Sequence, residues 1–230
     1  MIKAILFDFN GVIVDDEHIQ FEAYREVMKP YEVELTEYAY FSRMGMNDRV
    51  FVTSVFEEAG KPVDGQILDS ITGAKTAKWR ESVTANVPLF DGVDNFIRKC
   101  AEEFAIGIVS MAKRQEIELV LELAGLKDEF AFILSAEDIK TYKPDPECYR
   151  EGFRRIDLYR TSNGHLPMDH GDCLAIEDAA AGVQAAKGAG LKALGITSHV
   201  SAEALRSAGA DAVAKRLDDW MPESIKRVFV

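Results

Sequence analysis

Short apolar runs alternate with longer segments of helical periodicity along most of the chain. The runs that read as buried strands lie at residues 3–7, 105–109, 131–134, 173–176 and 193–196, with a short last one at 212–214. Helices are predicted between them, among them 147–156 and one from Asp218, and an exposed loop is predicted over 161–172. This alternation predicts an α/β fold: a doubly wound, Rossmann-like parallel sheet with helices on both faces.

Residues 16–85 break the alternation, because their pattern is helical throughout. A helix is predicted to begin near Asp16, Asn47 is placed as an N-cap, and Gly60 is placed as a helix stop. We therefore predict an all-helical cap over 16–85, inserted into a Rossmann-like catalytic core formed by 1–15 and 86–230. Ligands of such sheets bind beyond the carboxyl ends of the strands, so an insertion after the first strand is placed to close over them.

Composition and charge narrow the choice of partners. The 47% hydrophobic and 29% charged content is typical of a globular protein. Acidic residues outnumber basic ones 39 to 27, and the resulting net charge of −12 argues against a nucleic-acid partner. No apolar window is long enough for a membrane span, and the first residues do not resemble a signal peptide, so we expect a cytoplasmic protein without a membrane partner. A monomer or weak homodimer is expected.

Polar side chains stand where the predicted strands end. Asp8 follows the first strand, Ser110 ends the second, Lys143 lies in the loop after the third, and Glu177 and Asp178 end the fourth. The carboxyl ends of parallel strands meet at one edge of the sheet, so these groups are expected to converge there. Carboxylates favour Mg²⁺, a carboxylate can act as a nucleophile, and lysine and serine can bind the oxygens of a transferred group.

These residues also carry a family resemblance. The segments are Phe7-Asp-Phe-Asn-Gly-Val12, Val109-Ser110, Lys143-Pro-Asp-Pro146 and Ile176-Glu-Asp-Ala-Ala-Ala-Gly-Val183. In order and spacing they resemble the haloacid dehalogenase superfamily of hydrolases, above all its β-phosphoglucomutase and phosphoglycolate phosphatase branch. The resemblance covers nearly the whole chain, including a helical cap after the first strand.

The resemblance implies a catalytic and phosphate-binding set. Asp8 would be the nucleophile that becomes an aspartyl phosphate. Ser110 and the backbone N–H of Met111 would hold phosphate oxygens, and Lys143 would pair with Asp8 and the phosphate. In the cap, residues 45–49 are similar to a substrate-loop segment, and Arg49 suits a bidentate grip on an anionic substrate.

The resemblance also implies Mg²⁺ as the cofactor. Asp8 and Asp178 would be ligands, the backbone carbonyl of residue 10 would be another, and Glu177 would bind directly or through water.

Lys75, in the predicted cap, is interpreted as a surface charge rather than as a functional residue.

Asn10 departs from the family pattern. Phosphatases of this kind usually carry a second aspartate there, which protonates the leaving alcohol and then activates water. The expected function is a Mg²⁺-dependent phosphatase acting on a small phosphorylated metabolite. A phosphomutase remains an alternative, although Asn10 makes its chemistry harder. A 2-haloacid dehalogenase and a phosphonatase remain alternatives because members of the family with those activities also lack this aspartate. A catalytically weakened phosphate-ligand-binding protein remains one because an amide cannot exchange protons as a carboxylate does.

Overall fold

The structure is a computed structural model that describes residues 1–43 and 46–229. Gly45, the first residue of the predicted substrate-loop segment, lies outside the described residues. The strands are β1 (Ala4–Phe7), β2 (Ala105–Val109), β3 (Ile133–Leu134), β4 (Cys173–Glu177), β5 (Lys192–Ile196) and β6 (Ala212–Ala214). The helices are α1 (Glu17–Met28), α2 (Glu37–Phe41), α3 (Asp48–Glu58), α4 (Gly65–Ala85), α5 (Val93–Glu103), α6 (Arg114–Ala124), α7 (Glu147–Ser162), α8 (Ala180–Gly188), α9 (Ala202–Ser207) and α10 (Pro222–Val228).

The six strands form one parallel sheet in the order β3-β2-β1-β4-β5-β6. Phe7, at the end of β1, pairs with Ile108 of β2 on one side and Ile176 of β4 on the other. All residues of β1 and β4 are buried, as expected for strands covered on both faces. This parallel sheet confirms the predicted α/β fold class. The central position of β1 places Asp8 between the ends of β2 and β4.

The chain divides into two compact units. The sheet unit comprises Met1–Asp15 and Leu89–Val230, and the helical unit comprises Asp16–Pro88. The helical unit has its own core, which includes Phe21, Val52 and Phe56. In the part of the chain that the structure describes, no helix combines the length and apolarity needed to cross a lipid bilayer.

Side chains or a glycine cap helix ends in both units, and at Asn47 and Gly60 this confirms the sequence prediction. The side chain of Asn47 accepts a hydrogen bond from the Val50 N–H at 3.0 Å, and Ser201 caps α9 in the same way. Gly60 adopts a φ of +64°, the left-handed conformation that a helix stop favours.

Three boundaries differ from the sequence prediction. β3 has only two residues, and α7 runs six residues beyond Ile156, so the predicted loop over 161–172 begins later and ends in a 3₁₀ turn at His170–Asp172. The last helix begins at Pro222 rather than Asp218. Proline favours the first turn of a helix, because its fixed φ suits that position and its missing N–H is not needed there.

The prediction that Lys75 is a surface charge was wrong. Its side chain is 4% exposed, and its ammonium lies 3.7 Å from Asp48 Oδ1 and 5.2 Å from the ring centre of Tyr24. The Tyr24 hydroxyl donates to the same Asp48 oxygen at 2.7 Å. A buried lysine is stable only when such partners compensate its lost hydration.

Candidate active site

Asp8 lies immediately after β1, at the centre of the sheet edge. Its backbone N–H donates to the Ile176 carbonyl at 3.0 Å, which continues the pairing with β4 by one residue. The chain then turns through Gly11, whose φ is +75° and whose N–H donates to the Val14 carbonyl at 2.9 Å. The turn therefore holds the Asp8 carboxylate, itself largely buried, at a fixed place.

Lys143 contacts the carboxylates at the ends of two neighbouring strands, β1 and β4. Its ammonium lies 3.1 Å from Asp8 Oδ1 and 2.6 Å from Glu177 Oε1, and it also donates to the Val109 carbonyl at 3.4 Å. Burial alone would lower the pKa of Lys143, but the negative charges of Asp8 and Glu177 outweigh it and raise that pKa above its usual value. The lysine is therefore a permanent cation that two carboxylates share.

Three carboxylates converge beside this lysine. Asp8, Glu177 and Asp178 are all buried, and each offers a ligand atom within 4.8 Å of those of the other two. Burial, and then the Asp8 charge, raise the pKa of Glu177 to about 7 although Lys143 opposes the shift.

The residues present fit a hard divalent cation such as Mg²⁺. All three side chains offer oxygen, the donor that Mg²⁺ prefers. The Oε2 atom of Glu177 is buried and accepts no hydrogen bond from the residues that the structure describes, so it retains capacity to bind a cation. One lysine cannot neutralise three carboxylates, so a further positive charge would relieve the remaining repulsion.

Two glycines make room for these carboxylates. A Cβ on Gly11 would lie 2.0 Å from Asp178 Oδ2, and a Cβ on Gly182, in the first turn of α8, would lie 2.0 Å from Glu177 Oε2. Both distances are far shorter than any van der Waals contact, so neither position accepts a side chain while the carboxylates keep their places.

Gly182→Ala is expected to lower the activity of this site by about 10- to 100-fold, because the added methyl group displaces the Glu177 carboxylate. Initial rates measured with Mg²⁺ in the assay test the effect. Gly73→Ala is the matched control, since Gly73 lies within α4 and a methyl group there would project into open space, so this change should leave the rate intact. Wild-type rates for Gly182→Ala would show that the close approach has no catalytic importance.

The other predicted residues of the sheet unit lie around the same edge. Ser110 is buried directly after β2, where its Oγ accepts a hydrogen bond from the Ala112 N–H at 3.1 Å. Met111, which follows it, is partly buried. Asn10 is half-buried in the turn after Asp8. The roles of these residues in phosphate binding and proton transfer stay predictions.

Arg49 belongs to the helical unit rather than to the sheet unit. It lies in the first turn of α3, is exposed, and forms an ion pair with Asp69 at 2.5 Å. Its role in binding an anionic substrate stays a prediction.

Sequence reasoning missed two side chains that hydrogen-bond to this site. The Tyr149 hydroxyl donates to Glu177 Oε1 at 2.6 Å, and the Ser198 hydroxyl donates to the Gly11 carbonyl at 2.5 Å. A tyrosine near the start of a helix and a serine after a strand are typical of many structural positions. No signal in the sequence marks either residue as part of the site.

A comparison of sequences decides the family. The sequence profile of haloacid dehalogenase-like hydrolases matches residues 5–196, a span that contains all four strand-end motifs. The chain is a haloacid dehalogenase-like hydrolase. The predicted family, and the prediction that the chain is a hydrolytic enzyme, are thereby confirmed.

Two relatives of this hydrolase match over nearly their whole lengths. The validoxylamine A 7'-phosphate phosphatase of Streptomyces hygroscopicus subsp. limoneus is 27% identical over 221 residues, which cover 95% of this chain and 96% of that protein. The phosphorylated carbohydrates phosphatase of Thermotoga maritima is 27% identical over 237 residues, with 99% and 98% covered.

A solved structure of β-phosphoglucomutase from Clostridium difficile shares the fold of this hydrolase. It has a TM-score of 0.83 at 21% identity and covers 100% of this chain and 97% of its own. At this level of identity the similarity concerns the fold, and it agrees with the Rossmann-like α/β class.

Proposed function

We propose that this hydrolase is a Mg²⁺-dependent phosphatase that cleaves a small phosphorylated metabolite through an aspartyl phosphate on Asp8. One observation carries the proposal: the Asp8 carboxylate lies 3.1 Å from the buried Lys143 ammonium and shares one cluster with Glu177 and Asp178. The relative from Thermotoga maritima is named a phosphorylated carbohydrates phosphatase, and this name supports a phosphorylated sugar as the substrate class.

In the first step, a carboxylate oxygen of Asp8 attacks the phosphorus atom of the substrate. The bond between phosphorus and the substrate oxygen breaks, and the electron pair leaves with that oxygen, which takes up a proton from water because Asn10 cannot donate one. Lys143, already beside Asp8, stabilises the negative charge on the transferring group. The Ser110 hydroxyl and the Met111 N–H would orient the phosphate oxygens.

In the second step, water attacks the phosphorus atom of the aspartyl phosphate. The bond to Asp8 breaks, the carboxylate is restored and inorganic phosphate leaves. The amide of Asn10 can orient the water and the leaving group by hydrogen bonds, but it cannot take up or donate a proton as an aspartate would. Turnover is therefore expected to be slow, least so for leaving groups that need no protonation.

The metal would be held by Asp8, Asp178, the backbone carbonyl of Asn10 and Glu177. When bound, Mg²⁺ supplies positive charge that lessens the repulsion between a carboxylate nucleophile and a phosphate group. Attack by a carboxylate on carbon needs no such ion, so the buried acidic cluster favours phosphatase over dehalogenase chemistry.

Asn10 supports a second candidate function, a protein that binds a phosphorylated ligand and turns it over little or not at all. Lys143 and Ser110, the same residues proposed for the phosphatase, would bind the phosphate group. A ligand-induced rise in melting temperature without phosphate release would favour this candidate.

Metal removal tests the proposed phosphatase. With a panel of sugar phosphates and Mg²⁺, phosphate release should disappear on addition of EDTA and return with excess Mg²⁺. Asp178→Ala should weaken Mg²⁺ binding by about 100-fold or more, because a metal ligand is lost. Asp219→Ala, which changes an exposed aspartate of the sheet unit, should behave as wild type. Turnover that EDTA does not affect would contradict the proposal.

A further inference from the structure

The side chain of Tyr149 is completely buried and contacts two charged residues of the site, Glu177 and Lys143. It is the third residue of α7, the helix that follows the Lys143–Pro146 segment. Its hydroxyl donates to Glu177 Oε1 at 2.6 Å, and its ring centre lies 5.4 Å from the Lys143 ammonium. The Oε1 atom of Glu177 thus receives two donors, the phenol of Tyr149 and the ammonium of Lys143.

Because both donors bind Oε1, the two oxygens of Glu177 differ in the hydrogen bonds that they accept. A carboxylate has about four lone-pair positions. Two are occupied at Oε1, whereas Oε2 is buried and accepts no hydrogen bond within the described part of the chain. The carboxylate is therefore held through Oε1, while Oε2 retains unused acceptor capacity.

The neutrality of the phenol matters as much as its position. A phenol is uncharged near neutral pH, so Tyr149 donates its hydrogen bond to Glu177 without adding a charge. It orients Glu177 without cancelling negative charge, unlike a second lysine at the same place. The cluster thereby keeps the charge that attracts a divalent cation.

We propose that Tyr149 is a positioning residue that orients Glu177 for divalent-cation binding through its hydroxyl hydrogen bond to Oε1. This inference rests on the Mg²⁺ site of the proposed function. It goes further by assigning a role to a residue that lies outside the motifs of the family resemblance and acts through its hydrogen bond to Glu177.

Tyr149→Phe tests the hydroxyl alone, because phenylalanine keeps the buried ring and its contact with Lys143. Isothermal titration with Mg²⁺ in the absence of substrate should show affinity about 10- to 100-fold weaker than wild type. The Mg²⁺-induced rise in melting temperature is a second readout, since it reports binding even when the variant is less stable.

Tyr40→Phe is the matched control. The Tyr40 hydroxyl also donates to a carboxylate, Glu17 Oε2, at 2.6 Å, but it does so in the helical unit. Loss of this bond should change the melting temperature without changing the Mg²⁺ affinity. An equal loss of affinity in both variants would reveal a general effect of destabilisation and would overturn the inference.

A double-variant comparison shows whether Tyr149 acts through Glu177. In a Glu177→Gln background, Tyr149→Phe should cause little further loss of Mg²⁺ affinity. Wild-type affinity in Tyr149→Phe would overturn the role of Tyr149 and leave the phosphatase proposal intact. Absence of Mg²⁺ binding in the wild-type protein would overturn both.

Discussion

Asp8→Ala protein is expected to release no measurable phosphate from any substrate that the wild type hydrolyses. The change removes the attacking oxygen, and loss of a nucleophile costs on the order of 10⁴-fold or more in rate. Phosphate release should be followed with Mg²⁺ present, alongside intact-mass measurement of acid-quenched mixtures. A phosphorylated chain should form in the wild type and not in the variant.

The control for this experiment is a change of the same kind away from the site. Asp219→Ala should keep wild-type turnover, and both variants should melt cooperatively, since Lys143 retains Glu177 as its partner when Asp8 is removed. Retained turnover in pure Asp8→Ala protein would rule out the aspartyl-phosphate mechanism.

Asn10→Asp is expected to increase phosphatase turnover by about 10²- to 10⁴-fold, because it restores a group that can donate and accept a proton. The gain should be largest for sugar phosphates, whose alkoxide leaving groups need a proton. It should be smaller for an aryl phosphate, whose leaving group is already stable as an anion. Steady-state rates over a phosphometabolite panel, measured side by side for the two proteins, give both quantities.

Asn95→Asp makes the same chemical change on the exposed surface of α5 and should leave turnover unchanged. A large gain on one compound of the panel would identify the substrate. Equal, slow turnover for both proteins would show that position 10 does not limit hydrolysis, and tight binding without turnover in both would favour the ligand-binding candidate.

The sheet, and the edge of the sheet that carries the candidate site, could be predicted from the sequence because both depend on local signals. An apolar run followed at once by a polar residue marks the end of a buried strand, and Asp8 and Ser110 follow that rule. Parallel strands then bring their ends together without further information. The five polar residues at or after the strand ends could therefore be assigned to one edge from the sequence alone.

Contacts between residues that are distant in sequence could not be predicted in this way. The bond from Tyr149 to Glu177 spans 28 positions, and the burial of Lys75 depends on helices that pack only in the folded helical unit. The length of α7 was underestimated because its last residues carry few apolar side chains. Each of these features depends on tertiary packing, which a periodic pattern does not encode.

The turn after β1 has a consequence for the chemical ageing of the protein. In an Asn-Gly pair, the glycine nitrogen can attack the asparagine side-chain carbonyl carbon, ammonia departs, and the cyclic imide then hydrolyses to aspartate or isoaspartate. In the folded chain the Gly11 nitrogen is engaged with the Val14 carbonyl, which holds it away from this attack. Unfolded chains lack that protection, so material recovered from inclusion bodies would acquire a fraction with a carboxylate at position 10. That fraction would imitate the engineered aspartate, and natively purified protein is the proper reference.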